Sequence, residues 1–507
     1  MRYKFFVCIY IITYILFNLL YLDKYPLIWN DDSIYPEPGW HYLKHKRFLS
    51  EMFSGFIKMD ETNSIFGRIY LLSKSLSFKI FGFGPFQTRL PSLFFGIFSL
   101  LFFFLFSKEL YGKKIAFLAT FLLSISQKFI FHLHDARPEI MLFFSLIISL
   151  YLFILSIKKS SNIFLFFSGL TSSLSIDIHP NGLLLILVIC VLFVFKYYKE
   201  IFSKKKFIYL GIGLTSGILW YIFVHIIIPG PDLFFYQWNN YWYQANQPAF
   251  TSSLLSVIKK EFYRYYYFFW VAKYHRNAIL LFLFLISFIY ALKNKKHSDK
   301  IIITVILISI LFLTFVCKNN TTLYLILIFP FFILLSSEFI IEFKNYLIKY
   351  SILFFIFFLF IAEFFYIGIK FKDANYYIYI QKLKKYIPEN TVILGHPPYW
   401  YGFAKTNRYF ADIIFWYLNS SDKSKKIYVS TLGSTFEEGI EKKNIDYIII
   451  SESFWWWYDN IKDEIKNFLN KKCIKIATII DDFYGTGDPV AGWKKGIITE
   501  IYQIKKR

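Results

Sequence analysis

Long apolar runs separated by short polar stretches make up most of this chain. They fall at 5–22, 92–107, 114–131, 140–157, 163–178, 181–196, 207–228, 278–292, 300–316, 322–341 and 351–368. A helix needs ~20 apolar residues to cross the hydrocarbon core of a bilayer. The pattern therefore predicts a polytopic α-helical membrane protein of about eleven spans. Pro180 and Gly182 mark a turn that separates 163–178 from 181–196.

The polar stretches are of two kinds. KELYGKK, IKKSSN, KYYKEIFSKKK, KNKKHSDK and Lys344–Lys349 are short and basic, and they alternate along the chain. The positive-inside rule places them, with Arg2 and Lys4, in the cytoplasm. The longer stretches are a first loop at 23–91, a second at 229–277 and a tail at 369–507. An odd number of spans puts these three outside. Within the first loop, IFGRIYLLSKSLSFKIFGFGPF repeats apolar residues at helical spacing with Arg and Lys between them, which predicts interfacial helices. In the second, YQWNNYWYQANQPAF and EFYRYYYFFWVAKY are interfacial in composition.

The tail changes character. TVILG, KIYVS, DYIIIS, CIKIATII and KGIITEIYQI read as short strands, and DNIKDEIKNFLNKK as a helix between them. The expected organisation is a transmembrane domain over 1–368 and a small extracytoplasmic α/β domain over 369–507.

Composition agrees. Of 507 residues, 56% are hydrophobic, 23% aromatic and 18% charged. The net charge of +23 would suggest nucleic acid in a soluble protein. Here much of the lysine lies in short loops, where topology accounts for it, so no nucleic-acid partner is expected. The first apolar run is too long for a typical signal-peptide core and reads as a retained membrane helix. The four cysteines, Cys8, Cys190, Cys317 and Cys473, show no metal spacing and predict no disulfide framework.

Three polar clusters fall at the ends of spans on the expected outer side. They are Asp31, Asp32, Glu37 and His41; then His132, His134, Asp135, Arg137 and Glu139; then Asp177 and His179. Ionisable groups near a bilayer mark function when they face a bundle interior. The alternatives are solvated residues at headgroup level, helix caps and, for Arg137, a buried ion pair with Asp135 or Glu139. Arg89 reads as an interface anchor. Lys318 taken alone is an ordinary snorkelling lysine. YGTGDPVAGW lacks the lysine of a phosphate loop and reads as a turn.

WNDDSIY after the first span, the FGxxxFxxRLPS pattern in FGFGPFQTRLPS, and ARPE after the third span come in a recognisable order. Together they resemble the protein mannosyltransferase-like branch of the C-type glycosyltransferases. That branch includes dolichyl-phosphate-mannose–protein mannosyltransferases and the lipid A aminoarabinose transferase. The resemblance covers roughly 1–200, weakens through Lys318–Pro330 and nearly vanishes in the tail.

The resemblance implies a transferase that takes its sugar from a polyprenyl-phosphate-linked donor at a site facing away from the cytoplasm. Asp31 takes the leading acidic position, and Asp32 stands where Glu is commoner. Glu139 and Arg137 occupy the acidic and basic positions of the second-loop motif. His179 falls where a His precedes the sixth span, and Lys318 where a basic residue meets the donor phosphate.

These residue types suit the chemistry. One carboxylate base on the acceptor hydroxyl suffices for a single inverting displacement. A phosphate leaving group needs positive charge rather than a strong acid. Asp31 is the expected base, and Arg137 and Lys318 the expected phosphate clamps. Asp32 and Glu139 are candidates to orient groups or to bind a divalent metal ion, the one cofactor considered. The acceptor stays open among glycolipid, polysaccharide and protein. The expected location is the cytoplasmic membrane, with the N-terminus inside. A transporter or flippase of lipid-linked sugars is the alternative; it would favour charges near the bilayer midplane and inverted repeats.

Overall fold

The computed structural model describes residues 2–197, 204–245, 254–271, 278–294, 296–317, 321–419, 428–485 and 496–505. Among them, six helices are long and apolar enough to cross a membrane: Pro85–Tyr111, Glu139–Lys158, Pro180–Tyr197, Lys205–Ile227, His297–Phe315 and Tyr346–Lys384. Helices Lys113–Ile125 and Gln127–His134 pass the same test together but bend by 62°, which raises the number to seven. The chain is a multi-pass helical membrane protein.

Eleven spans were expected, and the difference has local causes. The run 163–178 gives a helix of only 13 residues, Asn162–Leu174, because a 3-10 turn at Ser175–Asp177 follows it. The run 322–341 splits into a 3-10 segment, Thr322–Leu327, and helix Phe329–Glu342, with Pro330 in the first turn. The runs 5–22 and 278–292 are also helical, but their apolar described parts, Cys8–Tyr21 and Leu280–Asn294, are short.

Helix Asn162–Leu174 packs closely on Lys204–Ile222 because small residues line the seam. A Cβ on Gly213 would lie 2.2 Å from the Phe166 carbonyl, and one on Gly217 2.2 Å from Ser173 Oγ. Small residues let membrane helices approach backbone to backbone.

The first loop folds into helices Asn30–Ile34, Glu37–His45 and Arg68–Phe81. The last, expected from its spacing, exposes Leu76, Ile80 and Phe81 and buries Tyr70, Leu71 and Lys74. Lys74 does not snorkel. Its ammonium donates to the Thr88 carbonyl at 2.8 Å and to Ser92 Oγ at 3.2 Å. Pro91 inside Pro85–Tyr111 has no N–H for the Gln87 carbonyl, and Ser77 supplies a hydroxyl there at 2.5 Å. In the second loop, Gln237 of helix Pro231–Ala245 bonds the Ser64 N–H at 2.9 Å and the Thr62 carbonyl at 2.6 Å, which pins that helix to the first loop. Positions 246–250 and 272–274 of the aromatic segments expected there lie outside the described residues.

The tail carries five strands: β1 (Val392–Gly395), β2 (Arg408–Ala411), β3 (Tyr447–Ser451), β4 (Cys473–Asp481) and β5 (Ile497–Ile504). Their order is β2-β1-β3-β5-β4. β1 runs parallel to β2 and β3, and β5 antiparallel to β3 and β4. β3 is buried along its whole length, as its unbroken apolar run requires. Four of the five expected strands form, and helix Lys462–Lys472 lies where it was read. KIYVS is not a strand: Tyr428, Val429 and Ser430 are helical, and the ring of Tyr428 stacks on Phe56 of the first loop at 4.9 Å. RYFA, too short to stand out, forms β2 instead.

The sheet shares its core with the first loop. Leu27, Ile28, Met52, Phe53, Phe56 and Met59 bury into the same cluster as Ile393, Phe410, Ile448 and Ile501. The Ala411 N–H donates to the Met52 carbonyl at 3.1 Å.

Candidate active site

Asp31 and Asp32 sit on the single turn Asn30–Ile34. Neighbours on a helix point about 100° apart, so the two carboxylates meet different arginines. Asp32 is wholly buried. Its Oδ1 accepts from Arg89 Nε at 2.9 Å and from the Ala136 N–H at 3.0 Å. Its Oδ2 accepts from the Trp29 N–H at 3.2 Å and forms the ion pair with Arg89 Nη2. Arg89 also donates to the carbonyls of Leu22, Pro26 and Leu27 at 2.9, 2.8 and 3.2 Å. Every oxygen of Asp32 is thus engaged, and its backbone carbonyl accepts from the Tyr401 hydroxyl of the tail. Arg89 is 0% exposed, so it is not the interface anchor that its position suggested.

Asp31 keeps access to its surroundings, with its side chain 20% exposed. Its Oδ2 pairs with Arg137 Nη1. Arg137 Nε donates to both oxygens of Glu139, at 2.9 and 3.1 Å, and Nη2 completes a forked pair. The guanidinium lies against the rings of Tyr35 and Trp29, at 5.3 and 5.9 Å from their centroids. Asp31, Arg137 and Glu139 therefore form one row, and the buried-pair alternative for Arg137 holds with Glu139 as partner.

Burial pushes the Asp31 carboxyl above its ordinary range, while Arg137 pulls it back. Asp135 is 1% exposed and accepts from Trp29 Nε1 at 3.1 Å, and its second oxygen has no hydrogen-bond partner. Burial, together with the charges of Asp32, Glu139 and Asp31, drives its carboxyl well above the usual range. His179 borders Glu139, and burial lowers its imidazole to about 4. Its Nδ1 accepts from the Asn181 N–H at 3.1 Å, which leaves the proton on Nε2.

The other expected residues lie apart from this row or serve it indirectly. His134 is spent between the Tyr25 carbonyl at 2.7 Å and Asn18 Oδ1 at 2.8 Å. Asp177 accepts from the Arg68 N–H at 2.7 Å, His225 Nε2 at 2.6 Å and Trp220 Nε1 at 2.6 Å, which fixes the start of helix Arg68–Phe81. Lys318 lies outside the described residues. Asp32 and Glu139, the candidate metal ligands, each face an arginine. Among the described residues, the one group of three imidazole and carboxylate side chains close enough for a metal ion is His41, His45 and Glu51. Sequence reading gave Arg89 only an anchoring role, and Asp135 only a place in the second cluster as one alternative partner for Arg137. Arg89 lies in the FGxxxFxxRLPS pattern and Asp135 directly precedes ARPE, so the motifs themselves were the available signal.

Residues 70–227 match the family described as dolichyl-phosphate-mannose-protein mannosyltransferase. That stretch is similar to glycosyltransferases of this kind. It contains Arg89, Arg137, Glu139 and His179. An uncharacterized protein of Aquifex aeolicus is 23% identical over 322 residues, covering 62% of this chain but only 60% of its own length. ArnT from Cupriavidus metallidurans, solved with undecaprenyl phosphate, superposes with a TM-score of 0.62 at 9% identity over 98% of each chain. An Archaeoglobus fulgidus oligosaccharyltransferase tethered to an acceptor peptide gives 0.53 at 13% identity, over 87% of this chain and 68% of that one. At such identities the likeness is one of fold, and the fold of this chain is that of ArnT.

Proposed function

We propose that the whole chain moves a sugar from a polyprenyl-phosphate-linked donor to an acceptor hydroxyl, on the outer face of the cytoplasmic membrane. The observation that carries this reading is the row Asp31–Arg137–Glu139, which joins the first loop to the start of helix Glu139–Lys158. Asp31 is the base. It removes the acceptor proton as the oxygen attacks the anomeric carbon, and the bond from that carbon to the phosphate oxygen breaks with inversion. The departing phosphate keeps the electron pair and needs no acid. Arg137 orients Asp31 and opposes the upward push of burial on its carboxyl, and it stabilises the charge that develops on the phosphate.

With Asp32 paired to Arg89, the row itself holds two carboxylates against one guanidinium. An arriving lipid phosphate therefore needs a further cation, and Lys318 is the one proposed. His179 lends its Nε2 proton. The acceptor is a glycolipid, polysaccharide or protein. The donor tail stays in the bilayer, since removing it would cost ~0.8 kcal/mol per CH2. The fold shared with ArnT, itself solved with undecaprenyl phosphate, supports such a donor. The basic loops support an orientation with the sheet domain, 369–507, outside and the transmembrane domain, 1–368, ending at the last span.

The test is to incubate purified protein in nanodiscs with a panel of polyprenyl-phosphate sugars and membrane extract, and to follow glycoconjugates by mass. Transfer by the wild type that is lost in Asp31→Asn, with donor binding retained, is the expected result. Equal transfer by both proteins would remove Asp31 as the base.

A further inference from the structure

The face of helix Glu37–His45 that carries His41 and His45 holds a second group of side chains with no part in the row just described. His41 and His45 are one turn apart and project from the same face, with ring centroids 5.8 Å apart. Glu51, from the loop that follows, brings Oε1 to 3.8 Å from His41 Nδ1 and to 3.8 Å from His45 Nε2. The three ligand atoms lie within 4.8 Å of one another. His41 is 3% exposed, and neither of its ring nitrogens has a hydrogen-bond partner. A buried polar ring left in that state is costly.

Separations of 3.8 Å are too long for hydrogen bonds but close to the spacing of ligands around one ion. Two donors at ~2.0–2.1 Å from a tetrahedral zinc lie about 3.3 Å apart. The far side of the His41 ring is also provided for. Its Nε2 faces Glu37 Oε1 at 3.5 Å. Glu37 is itself 0% exposed and fixed by the Met52 N–H at 2.6 Å and by the Ser50 hydroxyl. A carboxylate behind a histidine is the arrangement that orients metal-bound imidazoles.

We propose that His41 Nδ1, His45 Nε2 and Glu51 hold one divalent transition-metal ion, zinc by donor type, with Glu37 orienting His41. Two imidazoles and a carboxylate suit zinc, and His45 and Glu51 are exposed enough for water to complete four-coordination. The ion ties helix Glu37–His45 to the loop after it. That loop is the one whose Met52 carbonyl meets strand β2, so the ion braces the joint between the turn bearing Asp31 and the sheet.

The test uses full-length, chelator-stripped protein in detergent, titrated with Co2+ and then competed with Zn2+. The expected result is one ion per chain, a tetrahedral visible spectrum for Co2+, and its loss on adding Zn2+. His45→Ala and Glu51→Gln, both at exposed positions, weaken binding at least tenfold while circular dichroism stays unchanged. Glu37→Gln weakens it ~10-fold, and Asp31→Asn leaves it intact. No uptake by the wild type, equal affinity in His45→Ala and Glu51→Gln, or loss of the ion in Asp31→Asn would each overturn the proposal.

Discussion

Two neighbouring aspartates have separate tasks because one helical step turns them toward different arginines. The exchange Asp32→Ala leaves Arg89 charged and buried without its partner, which costs about 3–5 kcal/mol. It should show as lost expression and a lower unfolding temperature. Asp31→Asn should instead keep the fold and lower turnover ~10²–10⁴-fold; a destabilised Asp31→Asn protein would contradict that division. His179 gives a pH signature. In the unfolded chain it takes a proton below about 6.5, whereas in the folded protein it stays neutral down to about 4. Between these values the unfolded state binds more protons, so this contribution to stability is complete above ~6.5 and falls as pH drops through the window. His179→Gln should flatten the dependence of unfolding temperature on pH across that window.

At the level of elements, short and broken helices replace several of the long spans that hydropathy alone expects. The break at Ser175–Asp177 follows from Asp177, whose carboxylate is bound by Arg68, His225 and Trp220, so the chain turns to satisfy it. The bent pair Lys113–Ile125 and Gln127–His134 ends where Asp135 and Arg137 begin, which brings the ARPE residues to the first loop. Helix Asn162–Leu174 depends on its glycine-lined contact with the next helix. Gly213→Leu would drive a side chain into the Phe166 backbone. It should separate the two helices and cost several kcal/mol, the upper range for overpacking. A cysteine pair placed across the seam should crosslink readily in the parent and poorly in the variant.

Over the whole molecule, the sheet and the first loop are one packed unit resting on the helix bundle. The Tyr401 hydroxyl reaches from the tail to the Asp32 carbonyl and to Thr88 Oγ1 at 2.8 Å. Tyr401→Phe should cost ~1–3 kcal/mol through the unpaired acceptors. It should also lower turnover more than donor affinity, as thermal unfolding and steady-state assays on the same preparation would show. The sequence by itself determined the membrane class, the helix Arg68–Phe81, four strands and the residues of the Asp31–Arg137–Glu139 row. Those follow from periodicity, apolar length and short motifs, which are local. Only the tertiary structure decided that Asp32 belongs to Arg89, that Asp135 is buried among carboxylates, that Tyr428 lies in a helix, and that His41 faces Glu51. Each of these depends on which distant segment lies opposite. That partner is chosen by packing among separate runs of similar apolar character, and no local pattern encodes it.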